Sequence, residues 1–200
     1  MLTTQILMAL ALGLLCGNLH PTASLWKATD SVTAFALYAL LFLIGIDLGQ
    51  NRQIWQQIIN QGWILLLLPC AIATGSLAGG ALAGWLIGMP VQESLIASAG
   101  FGWYSLSSVM ISQMGHVELG ALAFLVNILR ELFAIICIPL TARYLGNIVA
   151  IAPGGATTMD TTLPLIAEVT NNEGTVAAFV SGAILSALVP VLIPLLMTVN

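Results

Sequence analysis

Charge is what this sequence has least of. Eight acidic and four basic side chains make up 6% of the 200 residues, where a soluble globular domain carries about a quarter. With 59% of residues hydrophobic, that scarcity excludes an ordinary water-soluble domain and leaves an integral membrane protein with almost no extramembrane part. The four Lys and Arg form no basic patch, which excludes a nucleic-acid partner. Cysteines are also scarce: Cys16, Cys70 and Cys137 lie singly in apolar stretches. They show no CxxC or metal-ligand spacing, so they read as small hydrophobes, and neither a metal nor a cofactor is expected. No Ser-His, Cys-His or HExxH arrangement exists, so no catalytic residue is nominated and an enzyme is not expected.

What remains is a series of apolar runs, read as all-α membrane architecture. The stretch from Met1 to Gly17 lacks the positive start of a signal peptide, and Leu15 before Cys16 is not small, so it reads as the opening of a first membrane helix. Helices are expected over about Thr3–Leu19, Ser31–Leu48, Gly62–Ile87, Leu119–Leu140 and Thr175–Met197, five crossings in all. The third is rich in Gly and Ala, and Gly75 and Gly79 have the spacing that lets membrane helices approach closely. Residues 1–94 are expected to form a three-helix scaffold bundle, and 95–200 a transport core of two parts, 95–145 and 146–200.

Two segments are unlike the apolar runs. ASAGFGWYSLSSVMIS, from Ala97 to Ser112, and IAPGGATTMDTTLPLIAE, from Ile151 to Glu168, mix Gly, Pro and hydroxyl residues into an apolar context. Gly100, Gly102, Gly154 and Gly155 permit backbone that other residues resist, which frees helix ends for a ligand or allows close packing. Ser105, Ser107, Thr157, Thr158 and Thr161 supply hydroxyls that serve a ligand or bond back to their own helix. Trp103 and Tyr104 can stack on a cation or sit at the membrane interface. Asp160 is a ligand candidate or a helix cap, and Asp47 a boundary residue or a ligand.

The two segments belong to a repeat. Displaced by 55 residues, Gly100 meets Gly155, Ile111 meets Ile166 and Glu118 meets Glu173; Ala123-Phe124 meets Ala178-Phe179, and Ile138-Pro139-Leu140 meets Ile193-Pro194-Leu195. The unit is a broken segment followed by a helix, present twice. If both broken segments leave on the side they entered, Arg52 and Arg143 fall on one side, the cytoplasmic one. The two are then oppositely oriented re-entrant hairpins in an inverted repeat. If both cross, the arginines fall on opposite sides. Irregular backbone at membrane depth survives only inside protein or around water, and two such stretches meeting near a charged helix are the usual build of a secondary transporter.

That charged helix carries Asn127, Arg130 and Glu131 inside an apolar run. Ionisable residues there cost roughly 2.5–3.5 kcal/mol each on insertion scales and mark function by default. Asn127 and Glu131 share a helix face, whereas Arg130 points about 100° away from Glu131 and cannot pair with it. Each therefore needs a partner from elsewhere in the chain, or water.

GFGWYSLS from Gly100 to Ser107, Arg130-Glu131-Leu132, and GGATTMD from Gly154 to Asp160 with Leu163-Pro164 resemble the bacterial lysine exporter family LysO, from about Leu40 onward. The resemblance implies that a glutamate at Glu131 matters for export and that the substrate is L-lysine or a toxic analogue. It also implies a further N-terminal part of about three helices in the family's full-length form, which a separate small membrane protein would replace; a second copy of this chain, by two-fold symmetry, is the other candidate. On this reading the chain exports lysine across the bacterial inner membrane by proton antiport. Glu131 and Asp160 would hold proton or substrate ammonium in turn, with Arg130, Asn127 and Asp47 completing the polar set and Arg130 holding the substrate carboxylate or neutralising Asp160. A sodium-coupled transporter of an anionic solute, and a channel or non-transporting subunit, are the alternatives.

Overall fold

A computed structural model of the chain describes residues 64–198 and, before them, Met8, Val32, Phe35, Ala39, Phe42 and Ile46, each helical. The chain divides into two compact units, Met1–Leu40 and Leu41–Asn200, and the elements below belong to the second. The expected helices over Thr3–Leu19 and Ser31–Leu48, Asp47, and the loop with Arg52 lie outside the described residues, the single helical positions apart.

The described elements are all helical. They are α1 (Ile64–Ile87), α2 (Val91–Ser98), α3 (Tyr104–Gln113), α4 (Val117–Leu145), two 3-10 turns at Val149–Ile151 and Gly155–Met159, α5 (Leu163–Val169) and α6 (Asn172–Thr198). Among the described residues three helices are long and apolar enough to cross a membrane: Leu65–Ile87, Val117–Leu145 and Asn172–Thr198. At about 1.5 Å per residue each exceeds the roughly 30 Å hydrocarbon thickness. Half of the α6 window is buried inside the protein, against 22% for the other two, so α6 is the inner helix and α1 and α4 present most of their surface outward. Leu129, Phe133 and Ile136 of α4 are exposed on that outer side, as lipid contact requires and water would penalise.

Both broken segments are helix–break–helix. In the first, α2 stops at Ser98, the chain passes through Ala99–Trp103, and α3 begins at Tyr104. It starts earlier than the sequence suggested, at Val91 rather than Ala97, because the polar Gln92-Glu93 turn hides a helix that apolar periodicity would reveal. The second runs from Val149 through the two 3-10 turns to α5. Each is followed by a long helix whose first turn holds a glutamate, Glu118 or Glu173. Burial repeats along with sequence: Ile111 and Ile166, Ala123 and Ala178, and Ile138 and Ile193 are all fully buried.

Close approach between α1 and α2 comes from Gly80 and Gly84. A Cβ at Gly80 would lie 2.6 Å from Ser98 Cβ, and one at Gly84 2.5 Å from Ser94 Cβ. Gly75 and Gly79, the pair with the expected spacing, meet nothing within 4 Å. They line a hollow instead. The two ends of the bundle are marked by smaller hollows. One brings Met89 and Glu93 beside Gly115, His116 and Glu118. The other brings Leu65 and Asn147 beside Asn171 and Glu173. The start of the first broken segment thus lies next to its finish, and so does that of the second.

Candidate functional site

The two breaks meet. The Ala156 N–H of the second donates to the Phe101 carbonyl of the first at 2.9 Å. Phe101 is fully buried and holds a positive φ of 49°, a conformation that costs a bulky residue of order 1–3 kcal/mol and persists only where its surroundings fix it. Opposite it, Gly155 has φ 61°, and a Cβ there would lie 2.3 Å from the Phe101 carbonyl oxygen. No other residue type fits this crossing.

Each break is closed by a different device. In the first, Asn127 of α4, 1% exposed, accepts the Gly102 N–H at 2.7 Å and donates to the Ala97 and Ala123 carbonyls at 2.9 and 2.8 Å. The amide uses its oxygen and one donor hydrogen on backbone beside the break, and its other hydrogen on a carbonyl of its own helix. In the second, the Thr158 hydroxyl lies 2.8 Å from the carbonyls of Gly155 and Ala178. The Thr157 hydroxyl lies 2.9 Å from the Gly154 carbonyl and 3.2 Å from Thr162 Oγ1. Ala178 is the repeat counterpart of Ala123, so the same helix carbonyl is engaged from the helix in one half and from the break in the other. The position matching Asn127 is Gly182, where a Cβ would lie 2.4 Å from Met159 N. Absence of a side chain there lets the second break lie against α6.

The remaining nominated residues separate into two faces of α4. On one, the Thr161 side chain lies near both Glu131 and Asp160, and the Glu131 carboxyl feels the charge of Asp160. Tyr104, at the start of α3, is close enough to feel both. Its ring meets Phe124 edge-on, centroids 5.4 Å apart and planes at 83°. Glu131 and Tyr104 are half-buried, and Asp160, Thr161 and Ser105 are exposed. The Thr161 N–H donates to Asp160 Oδ1 at 2.5 Å. This cluster gathers one residue from α3, one from α4 and two from the end of the second break.

On the other face, Arg130 donates from Nε to the Pro153 carbonyl at 3.2 Å and from Nη2 to Ala152 at 3.3 Å, and its Nη1 meets Ser76 Oγ of α1. As its helix position required, it does not pair with Glu131. Arg130 also lines the hollow, of about 750 Å³, between α1, α4 and the second break, with Gly75, Gly79, Phe133 and Cys137 among the walls. Ser76 escaped sequence reasoning: a single serine in a Gly- and Ala-rich helix signals only small size.

Gly100, Gly102, Gly154 and Gly155 are all buried. Their carbonyls accept, in turn, from Trp103 N, Tyr104 N, Thr157 and Thr158 Oγ1. The Ser107 hydroxyl bonds the Trp103 carbonyl at 2.8 Å. These hydroxyls therefore serve the breaks themselves. Among the described residues no group of three His, Cys, Asp or Glu could hold a metal ion.

The chain matches the family model described as lysine exporter LysO over residues 7–197, well beyond the stretch on which the motifs alone carried the likeness. It is 36% identical over 202 residues to "Lysine exporter LysO" of Escherichia coli K12, covering 96% of this chain and 66% of that protein. It is 32% identical over 196 residues to a Haemophilus influenzae Rd protein named "Putative lysine exporter", covering 96% of this chain and 94% of that one. The chain thus spans about two thirds of the length of the first relative and nearly all of the second. No solved structure matches. The family is one of transporters rather than enzymes, and with apolar spans, paired breaks and a match along almost its whole length, this chain belongs to the LysO lysine exporter family.

Proposed function

We propose that this chain exports L-lysine or a similar cationic amino acid across the bacterial inner membrane in exchange for protons. The observation that carries the proposal is the cluster of Glu131, Asp160, Thr161 and Tyr104 at the place where the breaks end. Two carboxyls brought close to one another favour one cation between them. A proton and an ammonium group compete for that place, and competition for one site is sufficient for exchange. The names of the E. coli and H. influenzae relatives supply the substrate class.

On this reading the broken segments are oppositely oriented re-entrant hairpins of an inverted repeat, dipping to the same depth from opposite sides. The hollows that join Met89 with His116, and Asn147 with Asn171, support it. Residues 95–200 act as the transport core on a scaffold of 1–94. Asp160 and Thr161 are exposed on a polar segment at that depth, which lipid does not tolerate. We infer a cover for them, either a small three-helix membrane protein or a second copy of the chain. A sodium site in the second break finds less support, since the carbonyls of Ala152, Pro153, Gly154 and Gly155 each already accept a hydrogen bond.

The test is uptake of labelled lysine into everted vesicles carrying the chain, with and without a pH gradient. Parent vesicles accumulate lysine under the gradient, sodium has no effect, and Glu131→Gln lowers the rate by about a hundredfold or more while the protein stays in the membrane. Undiminished gradient-driven accumulation by Glu131→Gln overturns the proposal.

A further inference from the structure

Arg130 is the obvious ligand for the carboxylate of an amino acid, yet its geometry argues for other work. Its donors reach two backbone carbonyls of the second break, Ala152 and Pro153, and the hydroxyl of Ser76 on α1. All three acceptors are neutral protein groups, and among the described residues no carboxylate pairs with it. Gly155 gives it room: a Cβ at that position would lie 2.8 Å from Nη2 and 3.1 Å from Cζ, and one at Gly102 would lie 3.8 Å from Cδ. The guanidinium therefore sits against the point where the two breaks cross. It faces the apolar hollow, whereas Glu131, Asp160, Thr161 and Tyr104 gather on the other side of α4.

We infer that Arg130 is a positioning residue that clamps the second break to α1 through Ser76 and does not bind the transported substrate. The chemistry suits the task. A carbonyl freed by a break needs a donor, and the planar guanidinium offers five N–H groups in a fixed fork. One side chain thereby ties three acceptors on two elements to a third element, α4. Lysine offers a point charge with no fork and cannot span the same acceptors. Ser76 is the other half of the clamp, because without its hydroxyl the tie to α1 is lost while the arginine and its charge remain. The inference rests on the exporter reading only for the choice of transported probe.

The experiment uses the full chain in vesicles, in a Cys16→Ser, Cys70→Ser background that keeps Cys137, which lines the hollow. Initial rates are measured for lysine and for lysinamide, which lacks the carboxylate, together with the rate at which a small thiosulfonate reagent labels Cys137. With the clamp loosened in Arg130→Lys, transport of both probes falls by the same factor, about tenfold or more. The KM for lysine is unchanged, and Cys137 labels faster than in the parent. Ser76→Ala moves all three readouts in the same direction by less. The inference is overturned if Arg130→Lys raises the KM for lysine while sparing lysinamide, for then Arg130 holds the carboxylate. Unaltered Cys137 labelling in both variants also overturns it. If Arg130→Lys fails to accumulate, Ser76→Ala alone carries the test. If parent vesicles move neither probe, the exporter reading fails, and the labelling comparison still decides the clamp.

Discussion

At the scale of single residues, the polar side chains of α4 divide into those that hold the protein together and those proposed to meet a substrate. Asn127 belongs to the first kind. Its amide answers three backbone groups of the first break and its own helix, all out of reach of water. Replacement by leucine, nearly the same size, leaves the Gly102 N–H and the Ala97 carbonyl buried without partners, at about 1–3 kcal/mol for each unsatisfied group. Asn127→Leu is therefore expected to lower the melting temperature of the detergent-solubilised protein and to cut its yield, and Asn127→Asp to do nearly as badly, since a carboxylate cannot donate to Ala97. A thermal shift assay on the two variants checks this; an unchanged melting temperature for Asn127→Leu would contradict the assigned contacts. The sequence made it plain that Asn127, Arg130 and Glu131 each needed a partner from elsewhere, because isolated polar groups do not survive in an apolar helix. It could not name the partners. Those of Arg130 and Asn127 are mostly backbone carbonyls, which every residue possesses and no sequence pattern reveals.

At the scale of elements, the two halves show how one architecture accommodates different residues. Each half places a break against the long helix that follows it. Asn127 fills the gap in the first half, and the gap is absent in the second because Gly182 lets the chain come closer. A Cβ at Gly182 would meet Met159 N at 2.4 Å and the Ala156 carbonyl at 3.0 Å, both backbone atoms that cannot swing aside. Gly182→Ala is thus expected to push the second break off α6 and to abolish transport or folding. Gly79→Ala, with nothing within 4 Å of the new methyl group, leaves expression and stability as they were. Equal behaviour of the two variants, by yield and thermal shift, would refute the packing argument. Length and hydropathy made the long helices legible: Gly62–Ile87 was expected and Ile64–Ile87 is found. The ends of α4 and α6 run a few residues further than expected, since helix termini tolerate polar residues at the membrane surface. The 55-residue spacing at which Gly, Pro and Ile recur in the sequence is accompanied by a like recurrence of burial at Ile111 and Ile166 and at Ile138 and Ile193. The α2 helix was not legible, for it is short and its first turn is polar. Nor was the helix-packing face of α1, where two pairs of glycines have the same spacing and only the neighbouring serines tell which pair is used.

At the scale of the whole molecule, the question is on which side each loop emerges. The hollow beside Met89 also contains His116, and the one beside Leu65 contains Asn147 and Glu173. A chain that crosses in α1, turns back at the first break, crosses in α4, turns back at the second break and crosses in α6 puts these two groups on opposite sides of a membrane. Were the broken segments to cross instead, Glu93 and His116 would lie a full bilayer apart, with α2, α3 and the break between them stretched through the hydrocarbon. Glu93, His116 and Glu173 are exposed and Asn147 half-exposed, so cysteines at these positions report sidedness. On the proposed topology, the bias of basic residues would put the Asn147 side, with Arg143 near the end of α4, in the cytoplasm. In a chain stripped of Cys16, Cys70 and Cys137, Glu93→Cys and His116→Cys should both react with a membrane-impermeant maleimide added to whole spheroplasts. Asn147→Cys and Glu173→Cys should react only in everted vesicles. The pairing matters more than the absolute side. Reaction of all four from reversed sides would overturn the arginine argument and leave the hairpins intact, whereas reaction of Glu93→Cys and His116→Cys from opposite sides would mean that the first broken segment crosses. The two breaks could not then meet as hairpin tips, and the carboxyl cluster would have to be explained by another arrangement.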